Sequence, residues 1–175
     1  MATTHLVITL LSDDKPGIVQ NLANIISSAN GNWLESRMSQ LAGKFAGILA
    51  INVAEDQVET LTANLKSLSN QGIQVLIDRI DADVAPMTGR NLAFELIGAD
   101  RVGIVSEIAH AFAEQGISID ELETQCSSSP WSGDPLFEAT GMLIAPPDMI
   151  KDELLERLSD IEEALGIDIT LTEQL

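Results

Sequence analysis

The sequence predicts an α+β protein made of two tandem βαββαβ units, each an antiparallel sheet carrying two helices. Three observations carry this expectation: an internal repeat at a nearly constant offset, the same succession of strand and helix periodicities in both halves, and turn formers at matching places. The 175 residues suit one medium domain or two small ones, and each small domain must bury a core of its own.

The repeat opens with Leu6-Val7-Ile8-Thr9-Leu10 and Asp14-Lys15-Pro16-Gly17-Ile18-Val19. It returns as Leu92-Ala93-Phe94-Glu95-Leu96-Ile97 and Asp100-Arg101-Val102-Gly103-Ile104-Val105. Gly17 and Gly103 differ by 86 positions. Gly31 pairs with Gly116 at 85, Phe45 with Phe137 at 92, and Gly72-Ile73 with Gly166-Ile167 at 94. An offset that jumps once implies a duplication with one insertion of about seven residues between Gly116 and Phe137. The turn-rich segment Cys126 to Asp134-Pro135, which includes Trp131, is its expected home.

Residues 5–11 are β-branched and apolar and read as a strand. Over 17–29, Ile18, Leu22, Ile25, Ile26 and Ala29 share one helical face. Asn30-Gly31 ends that helix, glycine being favoured just past a helix C-terminus. Two strands follow, 32–41 and 44–54, around a turn at Ala42-Gly43. A second helix over 56–69 lines up Val58, Leu61, Leu65 and Leu68, and a last strand runs from Ile73 to Asp81. The second half repeats the order, with strands near 91–98, 117–126, 136–145 and 167–172 and helices near 103–115 and 148–165. This order implies four antiparallel strands with two helices on one face, the ferredoxin-like arrangement. The expected boundaries are 1–83 for the first domain, 84–90 for a linker and 91–175 for the second domain. Runs such as Leu6-Val7-Ile8 and Ile48-Leu49-Ala50-Ile51 are apolar at successive positions. Either both sheet faces or the edges are therefore expected to be buried, against the other repeat or another chain. A homodimer is the simplest such assembly.

Charge narrows the function. There are 27 acidic residues against 9 basic ones, a net of −18, and no two basic residues are adjacent. Duplex DNA and anionic membranes call for clustered Lys and Arg, so neither is an expected direct partner. Residues 1–86 carry a net of −4 and residues 87–175 a net of −14; a basic patch on a partner protein would be drawn to the second half. No apolar run is long enough to cross a bilayer, and the N-terminus lacks the basic-then-apolar pattern of a secretion signal. The single Cys126 forms no intrachain disulfide, which suits a reducing compartment, so a cytoplasmic location is expected. His5 and His110 show no metal-ligand spacing, and Ser127 to Ser129 no nucleophile elbow. No P-loop or dinucleotide fingerprint occurs. Neither catalysis nor a cofactor is therefore expected.

The strand, the break Ser12-Asp13-Asp14-Lys15-Pro16-Gly17, the helix and Gly31 resemble an ACT domain. Two such repeats on a short linker, together with Ser132-Gly133-Asp134-Pro135-Leu136-Phe137 in the second, are similar to tandem ACT-domain regulators of glycine cleavage genes. That resemblance implies an amino-acid sensor, with glycine as the signal. It also implies a transcriptional repressor that works by contact with a DNA-binding activator. The candidate ligand-binding residues are Asp14, Pro16, Gly17 and Ile18 in the first repeat and Asp100, Arg101, Gly103 and Ile104 in the second. A helix N-terminus offers free N–H groups to an amino-acid carboxylate. Glycine allows close approach to the backbone, and Asp14 or Asp100 would face the ammonium group. The same residues also suit a helix cap, since Asp is a good N-cap and Pro fits a first turn. Two other readings remain open: an interaction module without a ligand, or the separate regulatory subunit of an amino-acid-metabolism enzyme.

Overall fold

The computed structural model describes residues 2–80, 88–130 and 132–173. The chain divides into two compact units, Met1–Val84 and Ala85–Leu175. Positions 84–87 of the expected linker, and Trp131, lie outside the described residues.

Unit 1 contains β1 (Thr3–Asp13), α1 (Ile18–Ser28), β2 (Asn32–Leu41), β3 (Lys44–Ala54), α2 (Val58–Lys66) and β4 (Gln74–Arg79). Unit 2 contains β5 (Arg90–Ala99), α3 (Ile104–Glu114), β6 (Ser118–Ser128), β7 (Pro135–Ala145), α4 (Lys151–Leu165) and β8 (Ile167–Glu173). The sheets are ordered β2-β3-β1-β4 and β6-β7-β5-β8, antiparallel throughout, which is the expected ferredoxin-like pattern twice over.

Each sheet buries one face under its two helices. In β1 the buried residues alternate: Leu6, Ile8 and Leu10 point to the core, where they meet Ile18, Leu22 and Ile26 of α1 and Leu61 and Leu65 of α2. Leu92, Phe94 and Leu96 do the same in unit 2, and Phe94 meets Phe112 edge-on with ring centroids 6.1 Å apart. The intervening apolar residues are less buried. Val7 is intermediate, whereas Leu11, Ile48 and Leu76 of unit 1 are exposed. Successive apolar positions in these strands thus mark one buried face and one uncovered apolar face.

The register refines the repeat. Asn30, not Gly31, takes the left-handed conformation after α1 (φ 51°), and Gly116 does so after α3 (φ 71°). Gly31 N–H then bonds to Ile26 O at 2.9 Å, as Ile117 N–H does to Phe112 O at 2.9 Å. Asn30 is therefore the counterpart of Gly116, and the offset stays at 86. Both edge strands carry a bulge at matching places, Trp33/Glu35 and Ile119/Glu121. The Leu41↔Lys44 pair, closed by Ala42 (φ 50°) and Gly43 (φ 78°), corresponds to Ser127↔Leu136. The insertion is thus six residues, one fewer than expected. It lengthens the hairpin by the Ser128↔Pro135 pair before the turn.

Two helices differ from expectation. The span 56–69 contains a regular helix only over Val58–Lys66, between 3-10 turns at Glu55–Gln57 and Ser67–Gln71. The Ser67 hydroxyl donates to Asn64 O at 2.6 Å, competing with the backbone ladder where the helix tightens. The last helix starts at Lys151 rather than 148: Pro146-Pro147 precede it, Met149 is buried, and Ile150 holds extended backbone (φ −76°, ψ 155°).

Candidate functional site

The two loops that join the first strand to the first helix are built alike. Each ends in a glycine whose left-handed backbone forms the helix N-cap: Gly17 at φ 95°, ψ −3°, and Gly103 at φ 91°, ψ −2°. A Cβ added at either glycine would meet nothing within 4 Å. The backbone angle, not close packing, is what calls for glycine. The carbonyl of each glycine opens its helix, accepting from Asn21 N at 2.9 Å and Glu107 N at 3.0 Å.

Each loop is fastened from both sides. Asp14 N donates to Gly43 O at 2.9 Å in the β2–β3 turn, and Asp100 N donates to Pro135 O at 3.0 Å at the matching point of β7. On the other side, Lys15 Nζ donates to Gln71 O at 2.7 Å and Arg101 Nη2 donates to Leu165 O at 3.1 Å. Gln71 and Leu165 each precede a left-handed glycine, Gly72 and Gly166, at the close of the second helical segment. The cation therefore meets the negative end of a helix and ties it to the loop. Sequence reasoning missed Lys15, because its partner carbonyl is 56 residues away.

The candidate residues separate by what they offer. Ile18 and Ile104 are buried in the two cores, so only their backbone faces the loop. Pro16 stands exposed before the Gly17 cap, outside the first helical turn, and Val102 is fully exposed at the same place in unit 2. Neither Asp14 nor Asp100 caps its helix; the cap residue is Gly17 or Gly103, with no side-chain cap bond. The Asp14 carboxylate is exposed and bonds to no side chain among the described residues. Its neighbour Asp13 pairs with Lys44, and that hydrogen bond, with the lysine charge, holds the Asp13 carboxyl below the usual range.

In unit 2 the polar groups are committed to each other. Arg101 pairs with Glu107 at 2.5 Å, in addition to the Leu165 carbonyl. Asp100 lies against Cys126 of β6, whose thiol is pushed up first by partial desolvation and then by the Asp100 charge. A shift in that direction favours the protonated, unreactive thiol.

Two surface hollows are lined by residues outside both loops. One, of about 130 Å³, lies on the outer face of the unit 1 sheet over Val7, Glu35, Arg37, Ile48 and Ala50. Another, of about 360 Å³, runs between α3 and α4 past Glu107, His110, Glu114 and Asp160. His110 is exposed and stands 3.4 Å from Glu114. Among the described residues no group of His, Cys, Asp or Glu could hold a metal ion, and no helix is long and apolar enough to cross a membrane.

The comparisons agree with this geometry. The ACT domain family model matches residues 4–77. A solved structure of an unknown protein from Galdieria sulphuraria is 29% identical and superposes with a TM-score of 0.83, covering 99% of this chain and 100% of that one. A structure titled "putative glycine cleavage system transcriptional repressor" is 20% identical with a TM-score of 0.76, covering 98% of each chain. No curated protein sequence matches the chain. The ACT domain model thus matches the fold of unit 1 over residues 4–77, and unit 2 repeats that βαββαβ fold.

Proposed function

We propose that this protein is an amino-acid-responsive regulator without catalytic activity of its own. In this reading it is a cytoplasmic homodimer that represses glycine cleavage genes by contact with a DNA-binding activator. The observation that carries the reading is the pair of glycine-capped loops, each fastened to a hairpin and to a helix end in an ACT-type unit. The first loop is the stronger sensor. Its Asp14 carboxylate is uncommitted among the described side chains, next to the positive end of α1, so it suits an ammonium group while the helix amides take a carboxylate. Asp100 and Arg101 are held by Cys126, Glu107 and Leu165, and binding there would have to displace those contacts. The net charge of −18 supports control through a protein partner rather than direct DNA binding.

Calorimetry with a panel of amino acids that includes glycine tests the sensor. Binding that weakens roughly tenfold or more in Asp14→Ala, with the fold intact, is the expected result. A mobility-shift assay tests the rest: the pure protein leaves DNA unshifted and alters the shift given by its activator. One observation favours a second reading, a ligand-free interaction module or a separate regulatory subunit of an amino-acid-metabolism enzyme. Two surface hollows, one over Val7 and Ala50 and one between α3 and α4, are lined by residues outside both loops. A flat calorimetric response to every amino acid, with a metabolic enzyme co-purifying in place of an activator, would select it.

A further inference from the structure

The outer face of the unit 1 sheet carries exposed apolar bulk that the same face in unit 2 replaces in part with polar residues. In unit 1 it carries Val7, Leu11, Ala46, Ile48, Ala50 and Leu76 beside the polar Thr9 and Asp78, with Ile48 48% and Leu76 70% exposed. Strand register places Glu138, Thr140 and Thr170 of unit 2 where unit 1 has Ala46, Ile48 and Leu76, and Glu95 where it has Thr9. The two units have the same backbone, so the fold does not demand the apolar residues. Unit 2 keeps Ile97, 44% exposed, and Met142 at the places of Leu11 and Ala50, so the excess of exposed apolar bulk on unit 1 is Ile48 and Leu76, and such bulk marks an interaction surface.

We propose that this face docks against the same face of a second copy of the chain, about a two-fold axis lying in the interface and running across the strands. The proposal rests on the homodimer reading above and assigns the surface that makes it. Three observations point to a second copy. The first is shape. Ile48 projects beside the hollow of about 130 Å³ over Ala50, one row along the same strand. An axis between these rows seats each Ile48 in the hollow over Ala50 of the partner subunit.

The second is charge. Glu35 lies beside Ala50 and Arg37 beside Ile48 on the neighbouring strand β2, and the two side chains are 3.7 Å apart. The same axis sets each Arg37 over Glu35 of the partner subunit, so the polar edge is complementary to itself. The third is area. β1, β2 and β3 each run ten or eleven residues. With β4 at six residues, the face spans three strands of about 33 Å and one of about 20 Å at a spacing of about 4.8 Å, so two of them remove about 1,100 Å² from water, just above the roughly 1,000 Å² a specific interface should clear.

Light scattering and sedimentation of the full chain, under reducing conditions because Cys126 is exposed, test this at micromolar concentration. The parent protein is expected to be a dimer. Ile48→Glu, at a half-exposed site that leaves the core untouched, is expected to weaken dimerisation roughly 100-fold with an unchanged circular dichroism spectrum. Arg37→Glu is expected to weaken it roughly tenfold, and the double reversal Glu35→Arg with Arg37→Glu to restore it. A dimer that Ile48→Glu leaves intact overturns this assignment of the face while the homodimer stands. A monomeric parent overturns both, including the case in which the face is covered within the chain. Amino-acid binding, scored separately by calorimetry, is untouched by either result.

Discussion

Gly17→Ala isolates what the loop glycine contributes. Gly17 sits at φ 95°, where an L side chain is strained, yet a Cβ there would meet nothing within 4 Å. The cost is therefore the backbone term alone, about 1–2 kcal/mol. Ile18, next in sequence, is 4% exposed, so α1 remains docked and unit 1 should stay folded at lower stability. Urea unfolding read by tryptophan fluorescence measures the loss. The chain has two tryptophans; in a Trp131→Phe background only Trp33 reports, and it packs against the unit 1 core with its indole N–H on Ser36 Oγ at 3.2 Å. With a slope of about 1 kcal/mol per M for so small a unit, the midpoint should fall by about 1–2 M. A loss under about 0.3 kcal/mol would mean that the loop relaxes to another angle without penalty, and one above about 3 kcal/mol would mean that the glycine makes a contact the open space denies. Either result would refute the reasoning.

Gly141→Ala should be far more damaging, about 3–5 kcal/mol, because its Cβ would lie 1.9 Å from Glu121 O and 3.1 Å from the Phe94 ring; denaturation of unit 2 measures it. The Asp13 carboxyl is held low by Lys44, so its contribution to stability is present at neutral pH and disappears as pH falls below the ordinary aspartate range. A carboxyl NMR titration should show the Asp13 value rising in Lys44→Ala. Asp100→Asn removes the charge that helps to hold the Cys126 thiol up, so a thiol reagent should react with Cys126 faster at pH 8 in that variant, and an unchanged rate would leave desolvation as the whole cause.

Much of the fold was legible because local signals agreed. The hairpin of β2 and β3 has the bounds expected from the sequence, where strand-forming residues flank a turn ending in glycine. The two loop glycines were equally plain. What was misread depends on distance or on degeneracy. Asn and Gly both tolerate the left-handed conformation, so aligning glycine with glycine put the repeat out by one at Gly31. The anchors of Lys15 and Arg101 are carbonyls, which carry no residue identity for a sequence pattern to detect. Apolar runs revealed that sheet surface would be left over. That unit 1 carries more of it at the centre of its sheet followed only from strand register, which sets Ile48 and Leu76 beside Thr9 and sets Thr140 and Thr170 beside Glu95.

Tandem copies of one fold face a hazard during synthesis, because a strand of one copy can complete the sheet of the other. The central pair of each core guards against this. Ile8 lies opposite Leu49 in unit 1, and the matching pair in unit 2 is Phe94 opposite Gly141. Each pair combines its volumes differently, and the Phe94 ring fills the space that Gly141 leaves. Were β3 and β7 exchanged, Leu49 would press into Phe94, while Gly141 would leave a void beside Ile8. One hybrid is overpacked and the other hollow, and each error costs a few kcal/mol. A swap of bulk across two strands thereby acts as a sorting code, steering each half toward its own partners while the backbones remain interchangeable.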